Sequence, residues 1–129
     1  MKARVLADFL VGRVDACRLA DELATVYGRE SGSRRPVLIE PMEERLVVSK
    51  AAMLRVCDAV LAGELDPALL EPIGDCLMFS DSFEFGPPDD DVVATVAHYW
   101  GTPEICYPLD IPHVRAFRTW LESGTDPLR

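Results

Sequence analysis

The sequence predicts a mainly α-helical fold, a single domain over residues 1–129 built as an antiparallel bundle of about five to six helices. Three observations predict it. Apolar residues recur at three- and four-residue spacing through most of the chain, the pattern of a helix with one buried face. Asp15, Asp66-Pro67 and Asp110 with Pro112 stand ahead of these stripes as start signals, and Gly12, Gly63 and Gly124 follow them as stops. A chain of 129 residues, 49% of them apolar, is also long enough to bury one core.

Residues 2–11 place Val5, Leu6, Phe9 and Leu10 on one stripe of a short helix that Gly12 ends. Asp15 caps the next helix, where Leu19, Leu23, Val26 and Tyr27 form the apolar side and Asp21 and Glu22 the polar side. The two make a helical hairpin or one bent helix. Residues 28–36, GRESGSRRP, read as a polar loop. Residues 37–48 admit two structures. Val37-Leu38-Ile39 and Leu46-Val47-Val48 suit a short β-hairpin. A helix from about Met42 to Ala62, with a break near a capping Ser49, joins more naturally to Met53, Leu54, Cys57, Val60 and Leu61, and is preferred.

Beyond Asp66-Pro67, Leu69, Leu70, Ile73 and Leu77 supply a buried face, and Pro72 and Gly74 are expected to kink or divide that helix. Phe79 and Phe83 are expected inside. Asp89-Asp90-Asp91 opens a further helix whose core face is Val92, Val93, Val96, Ala97 and Trp100. Thr95 and His98 point outward, with Tyr99 a candidate to join them. Residues 101–108, GTPEICYP, form a loop braced by a proline near each end. In the last helix Val114, Phe117, Trp120 and Leu121 face inward, Arg118 pairs with Glu122, and Gly124 is the stop.

The net charge of −9 is unevenly spread. Residues 1–36 hold seven Lys/Arg against five Asp/Glu, and residues 112–129 hold three against two. Residues 37–111 hold three against fifteen. A middle section this acidic repels nucleic acid and anionic membrane, and suits either a basic protein partner or a merely solvated surface. No apolar run reaches the roughly 18 residues of a membrane span. Asp8, Arg13 and Asp15 interrupt the start too early for a signal-peptide core, so a cytoplasmic location is expected.

Little in the chain points to chemistry. It carries no nucleophile elbow, phosphate-cradling glycine loop, HExxH helix or dinucleotide fingerprint, so a non-catalytic protein without cofactors is expected. Cys57, Cys76 and Cys106 with His98 or His113 lack zinc-ligand spacing, and the cysteines are expected to be free, mostly buried thiols. Glu71 and Asp75 stand one turn apart without a third ligand, which favours solvation over a metal.

The stretch from Phe79 to Pro108 interleaves aromatic residues with carboxylates, a combination suited to holding a basic partner. After the core positions are set aside, the candidate partner-binding residues are Asp81, Glu84, Asp89, Asp90, Asp91, Glu104 and Tyr107. Three segments carry a family likeness: FLVGRVDACRLADELATVY at residues 9–27, CDAVLAGELDPALLEPIGDCLMFSDSFEF at 57–85, and VAHYWGTPEICYPL at 96–109. They resemble small bacterial toxin-immunity proteins of the colicin D immunity type. The resemblance implies a stoichiometric inhibitor whose acidic surface covers the basic substrate cleft of a nuclease toxin. A helical adaptor binding a partner enzyme or regulator through the same surface is the alternative, and a small-molecule binding protein stands third.

Overall fold

The computed structural model describes residues 3–27, 45–87, 90–103, 107–125 and 127, with the backbone alone described for 24–27. The expected loop at 28–36, the candidate strand at 37–39, and the residues Asp89, Glu104 and Cys106 lie outside this range. The chain is mainly helical, as its periodicity predicts. Helix α1 (Ala3–Leu10) buries Val5, Leu6, Phe9 and Leu10. The chain reverses through Gly12, whose φ of +83° suits a residue without a side chain. Asp15 then accepts the Arg18 backbone N–H at 2.9 Å and starts a separate helix, α2 (Ala16–Tyr27). Leu19 and Leu23 of α2 are fully buried and Asp21 is exposed, while Glu22, expected on the polar side, is half-buried and pairs with Arg18.

The helix preferred for residues 42–62 does not extend across its first part. Leu46–Val48 forms a strand, β1, and helix α3 (Lys50–Leu61) begins only after Ser49. Ser49 is extended at φ −94°, ψ 164°, and its hydroxyl accepts the Ala52 N–H at 3.1 Å. The cap ends the strand and starts the helix in one residue. The hairpin reading needs residues 37–39, which lie outside the described residues; among the described residues the partner of β1 lies far along the chain. A 3-10 turn (Pro67–Leu69), capped by Asp66, leads into α4 (Leu70–Phe79), and strand β2 (Phe83–Phe85) follows. β2 pairs with β1 in parallel, Leu46 opposite Phe83, Val47 opposite Glu84 and Val48 opposite Phe85. Parallel strands require a long crossover, and α3 with α4 supplies it.

The last two helices are α5 (Asp90–Gly101) and α6 (Ile111–Ser123). Asp110 caps α6 by accepting the His113 N–H at 2.9 Å, and Gly124 ends it at φ +74°. Val114, Phe117, Trp120 and Leu121 are buried as expected. Arg118 bridges to Glu122 on its own helix and to Asp58 of α3 at 2.6 Å, tying α6 to α3 at the surface.

Pro72 does not divide α4. It stands in the first turn, where proline is tolerated because early N–H groups have no helical acceptor. Gly74 has a different purpose. A Cβ there would lie 2.5 Å from the Gly101 amide nitrogen, 2.7 Å from the Ala97 carbonyl oxygen and 2.9 Å from the Trp100 Cβ. A Cβ at Gly101 would lie 2.8 Å from an Asp75 carboxylate oxygen. Helices α4 and α5 therefore meet backbone to backbone, and this is the most extensive contact between any two elements. Trp100 is fully buried beside it, with an indole N–H that finds no acceptor among the described residues. Leu6, Leu19, Met53, Ile73, Leu77, Trp100, Phe117 and Leu121 fill one continuous core.

Cys57 and Cys76 sit in that core, and burial pushes both thiols up to about 12, so they are protonated hydrophobes at neutral pH. Cys17 departs from the expectation of buried thiols and is exposed.

Replacing a mid-helix glycine by alanine ordinarily stabilises a protein by about 0.4–1 kcal/mol. At Gly74 the added methyl meets backbone atoms that cannot swing aside. Gly74→Ala is expected to destabilise by about 1–3 kcal/mol in urea denaturation, a reversal of sign that only the close α4–α5 approach explains. A neutral or stabilising substitution would show that the helices stand further apart.

Candidate partner-binding surface

The surface begins where α4 runs out. Ser80 ends the helix, with its N–H donating to the Cys76 carbonyl at 3.1 Å. Its hydroxyl accepts the Ser82 N–H at 3.2 Å, which folds residues 80–82 into a tight turn. The Ser82 carbonyl accepts the Leu46 N–H at 2.8 Å and so ties that turn to β1. Alternation along β2 then sends Phe83 inward and Glu84 outward. On β1 the same alternation buries Val48 and leaves Val47 53% exposed, directly opposite Glu84.

Phe79, expected inside, is 78% exposed. The stripe of α4 runs through Leu70, Ile73 and Leu77, and a residue two positions past Leu77 lies about 200° round the helix from it. Met78 beside it is also exposed. Phe83, the other expected core aromatic, is buried. The end of α4 and the turn and strand after it therefore carry an uncovered phenylalanine together with two exposed carboxylates, Asp81 and Glu84. Leaving such a side chain in water forgoes roughly 1.5–3 kcal/mol of burial.

Asp90 and Asp91 occupy the first turn of α5, where the helix dipole favours negative charge. Asp91 is exposed and Asp90 half-buried, and the Asp91 carbonyl accepts the Thr95 hydroxyl at 2.6 Å. Asp81 and Glu84 lie on the ten-residue connection from α4, so all four stand at or before the start of α5. Tyr107 does not. It follows the far end of α5, a helix of 12 residues and so about 18 Å long. The candidate residues that are described thus fall into two groups, Asp81, Glu84, Asp90 and Asp91 in one and Tyr107 in the other.

Tyr107 is half-buried within an aromatic cluster that joins α5 to α6. Its ring meets Tyr99 edge-on at 5.5 Å and stacks on His113 at 5.7 Å. Tyr99 also packs on Trp120 at 5.5 Å, so Tyr99 serves as packing instead of pointing freely to solvent. Centroid separations of this size suit aromatic pairs, which fold stability alone explains.

The sequence reading missed the Asp110–His113 pair. His113 Nδ1 lies 2.6 Å from Asp110 Oδ1, the same oxygen that accepts the His113 backbone N–H. An aspartate cap followed three residues later by histidine was the available signal. The backbone N–H, then the imidazole, hold the Asp110 carboxyl below the usual carboxylate range. Among the described residues no group of three His, Cys, Asp or Glu could hold a metal. Nor is any described helix long and apolar enough to cross a membrane.

No protein-family model matches the sequence, and neither curated proteins nor solved structures give a match.

Because the folded Asp110 titrates below its ordinary value near 3.8, its cap is at full strength above that value. The contribution disappears as pH falls through the lower, folded value. Asp110→Asn keeps an oxygen for the cap but cannot titrate. The stability difference between wild type and Asp110→Asn, read from urea midpoints, is expected to shrink as pH falls through and below the ordinary carboxylate value near 3.8. A difference independent of pH would contradict the charged cap.

Proposed function

We propose that this chain is an immunity-type inhibitor, which binds a basic protein toxin, of the nuclease class, and occludes its substrate cleft without chemistry of its own. The observation that carries the reading is Phe79, 78% exposed beside Asp81 within the most acidic section of the chain. Interfaces are typically anchored by a few aromatic side chains in desolvated pockets, and charges around them steer encounter and select the partner. Phe79 has the first character, and Asp81, Glu84, Asp90 and Asp91 the second. The resemblance to colicin D immunity proteins supports the toxin as the partner, and the carboxylates would stand where substrate phosphates bind. A cytoplasmic location belongs to the same proposal.

The reading separates anchor from steering. Phe79→Ser is expected to weaken binding to the toxin encoded beside the gene by about 2 kcal/mol or more, mainly through faster dissociation, with the free protein as stable as before. An Asp81→Asn/Glu84→Gln variant is expected to slow association at low salt and to lose that defect at high salt. Surface plasmon resonance over a salt series reads both, and co-expression reads protection. Full protection and unaltered kinetics from the combined triple variant would overturn the assignment of this surface.

A further inference from the structure

Strands β1 and β2 leave one face of their small sheet uncovered. Val48 and Phe83 are core, and Leu46 and Phe85 pack against it, so alternation sends Val47 and Glu84 outward. The register sets these two directly opposite one another, about 5 Å apart at the spacing of neighbouring strands. Val47 is more than half exposed, and Glu84 is exposed beside it. Gly86, the residue after β2, fixes how the valine lies. A Cβ at Gly86 would stand 2.9 Å from Val47 Cγ1, so the valine leans toward the end of β2 where a side chain is missing. A β-branched side chain is stiff, which makes it a fixed apolar wall.

Glu84 joins none of the ion pairs among the described residues, which engage Asp8, Glu22, Asp58, Asp110 and Glu122 instead. Asp81, three residues earlier and also exposed, joins none of them either. An apolar wall beside an unpaired carboxylate matches a long basic side chain, whose methylene stem covers the valine while its charged head meets the oxygen atoms. Arginine fits better than lysine. Its planar fork takes a carboxylate in two-point geometry, and its weaker hydration lowers the cost of leaving water.

We propose that the outward face of the sheet, Val47 beside Glu84, is the seat for a single arginine side chain of the protein partner. The assignment rests on the reading of the Phe79 surface as an interface, and adds to it one contact of defined chemistry. Glu84 acts within that contact, beyond the steering that the carboxylates share.

Nuclear magnetic resonance titration of the labelled chain with a blocked tetra-arginine peptide tests the seat. An ionic strength of about 0.1 M screens diffuse attraction. Saturable shifts are expected at the amides of residues 46–48 and 83–86. The tetra-lysine peptide is expected to bind about threefold or more weakly, and the uncharged citrulline peptide not to saturate. Glu84→Gln, Val47→Ser and Gly86→Ala are each expected to weaken the arginine peptide about threefold or more. Gly86→Ala is the sharpest of these, because it displaces the valine without altering charge. Asp21→Asn removes the same charge from the exposed side of α2 and is expected to bind as wild type does. Absence of saturation, equal affinity for the lysine peptide, or wild-type affinity in Glu84→Gln would overturn the seat. The two readings fail separately. Phe79→Ser with unaltered toxin binding removes the interface reading, whereas weakened toxin binding in Phe79→Ser with wild-type peptide affinity in Glu84→Gln removes the seat alone.

Discussion

The close approach of α4 and α5 at Gly74 and Gly101 is the constraint on which the rest of the structure depends. Both positions lack a side chain because each faces atoms of the other helix at distances a Cβ cannot occupy. With the backbones this near, Ile73, Leu77, Val96 and Trp100 become fully buried around the crossing. The cost shows in Trp100, whose indole N–H finds no acceptor among the described residues, about 1–3 kcal/mol of lost solvation. Burial of so large a ring offsets that loss. The end of α4 also sets where the chain turns at Ser80, and hence where β2 meets β1.

That placement separates residues that folding explains from residues it does not. Val93, Val96 and Trp100 are core. Tyr99, Tyr107, His113 and Trp120 hold α5 and α6 together through ring contacts, and Asp110 is a helix cap. What remains is the end of α4 with the turn and strand after it, carrying Phe79, Asp81 and Glu84, and Val47 opposite Glu84 on the neighbouring strand. No packing requirement puts a phenylalanine there. An inhibitor of a basic enzyme needs such a combination, an apolar anchor set among carboxylates, on a rigid support.

Much of the fold was legible from local signals. Asp15, Ser49, Asp66 and Asp110 all cap as their positions suggest, and Gly124 ends the last helix. The stripes of α1 and α6 needed only helical spacing. The strand at Leu46–Val48 was one of two readings of its segment, and its parallel partner was not legible because Phe83–Phe85 is distant in sequence and local spacing could not exclude continuation of the helix. Pro72 was misread because the chain enters α4 through a 3-10 turn, which moves the helix start forward to within reach of the proline. Phe79 was readable in principle, since it lies off the stripe of its own helix, but an aromatic residue in an apolar neighbourhood suggests burial.

The central claim is that residues 79–85 and the outward side of β1 form the face a basic partner covers. Amide hydrogen exchange of the chain, free and in complex with the partner it captures at low salt, tests this most directly. Strong added protection is predicted across residues 79–85 and 46–48, with little change in α6. Unchanged exchange at 79–85, with protection gathered around Tyr107 and the start of α6, would contradict the account.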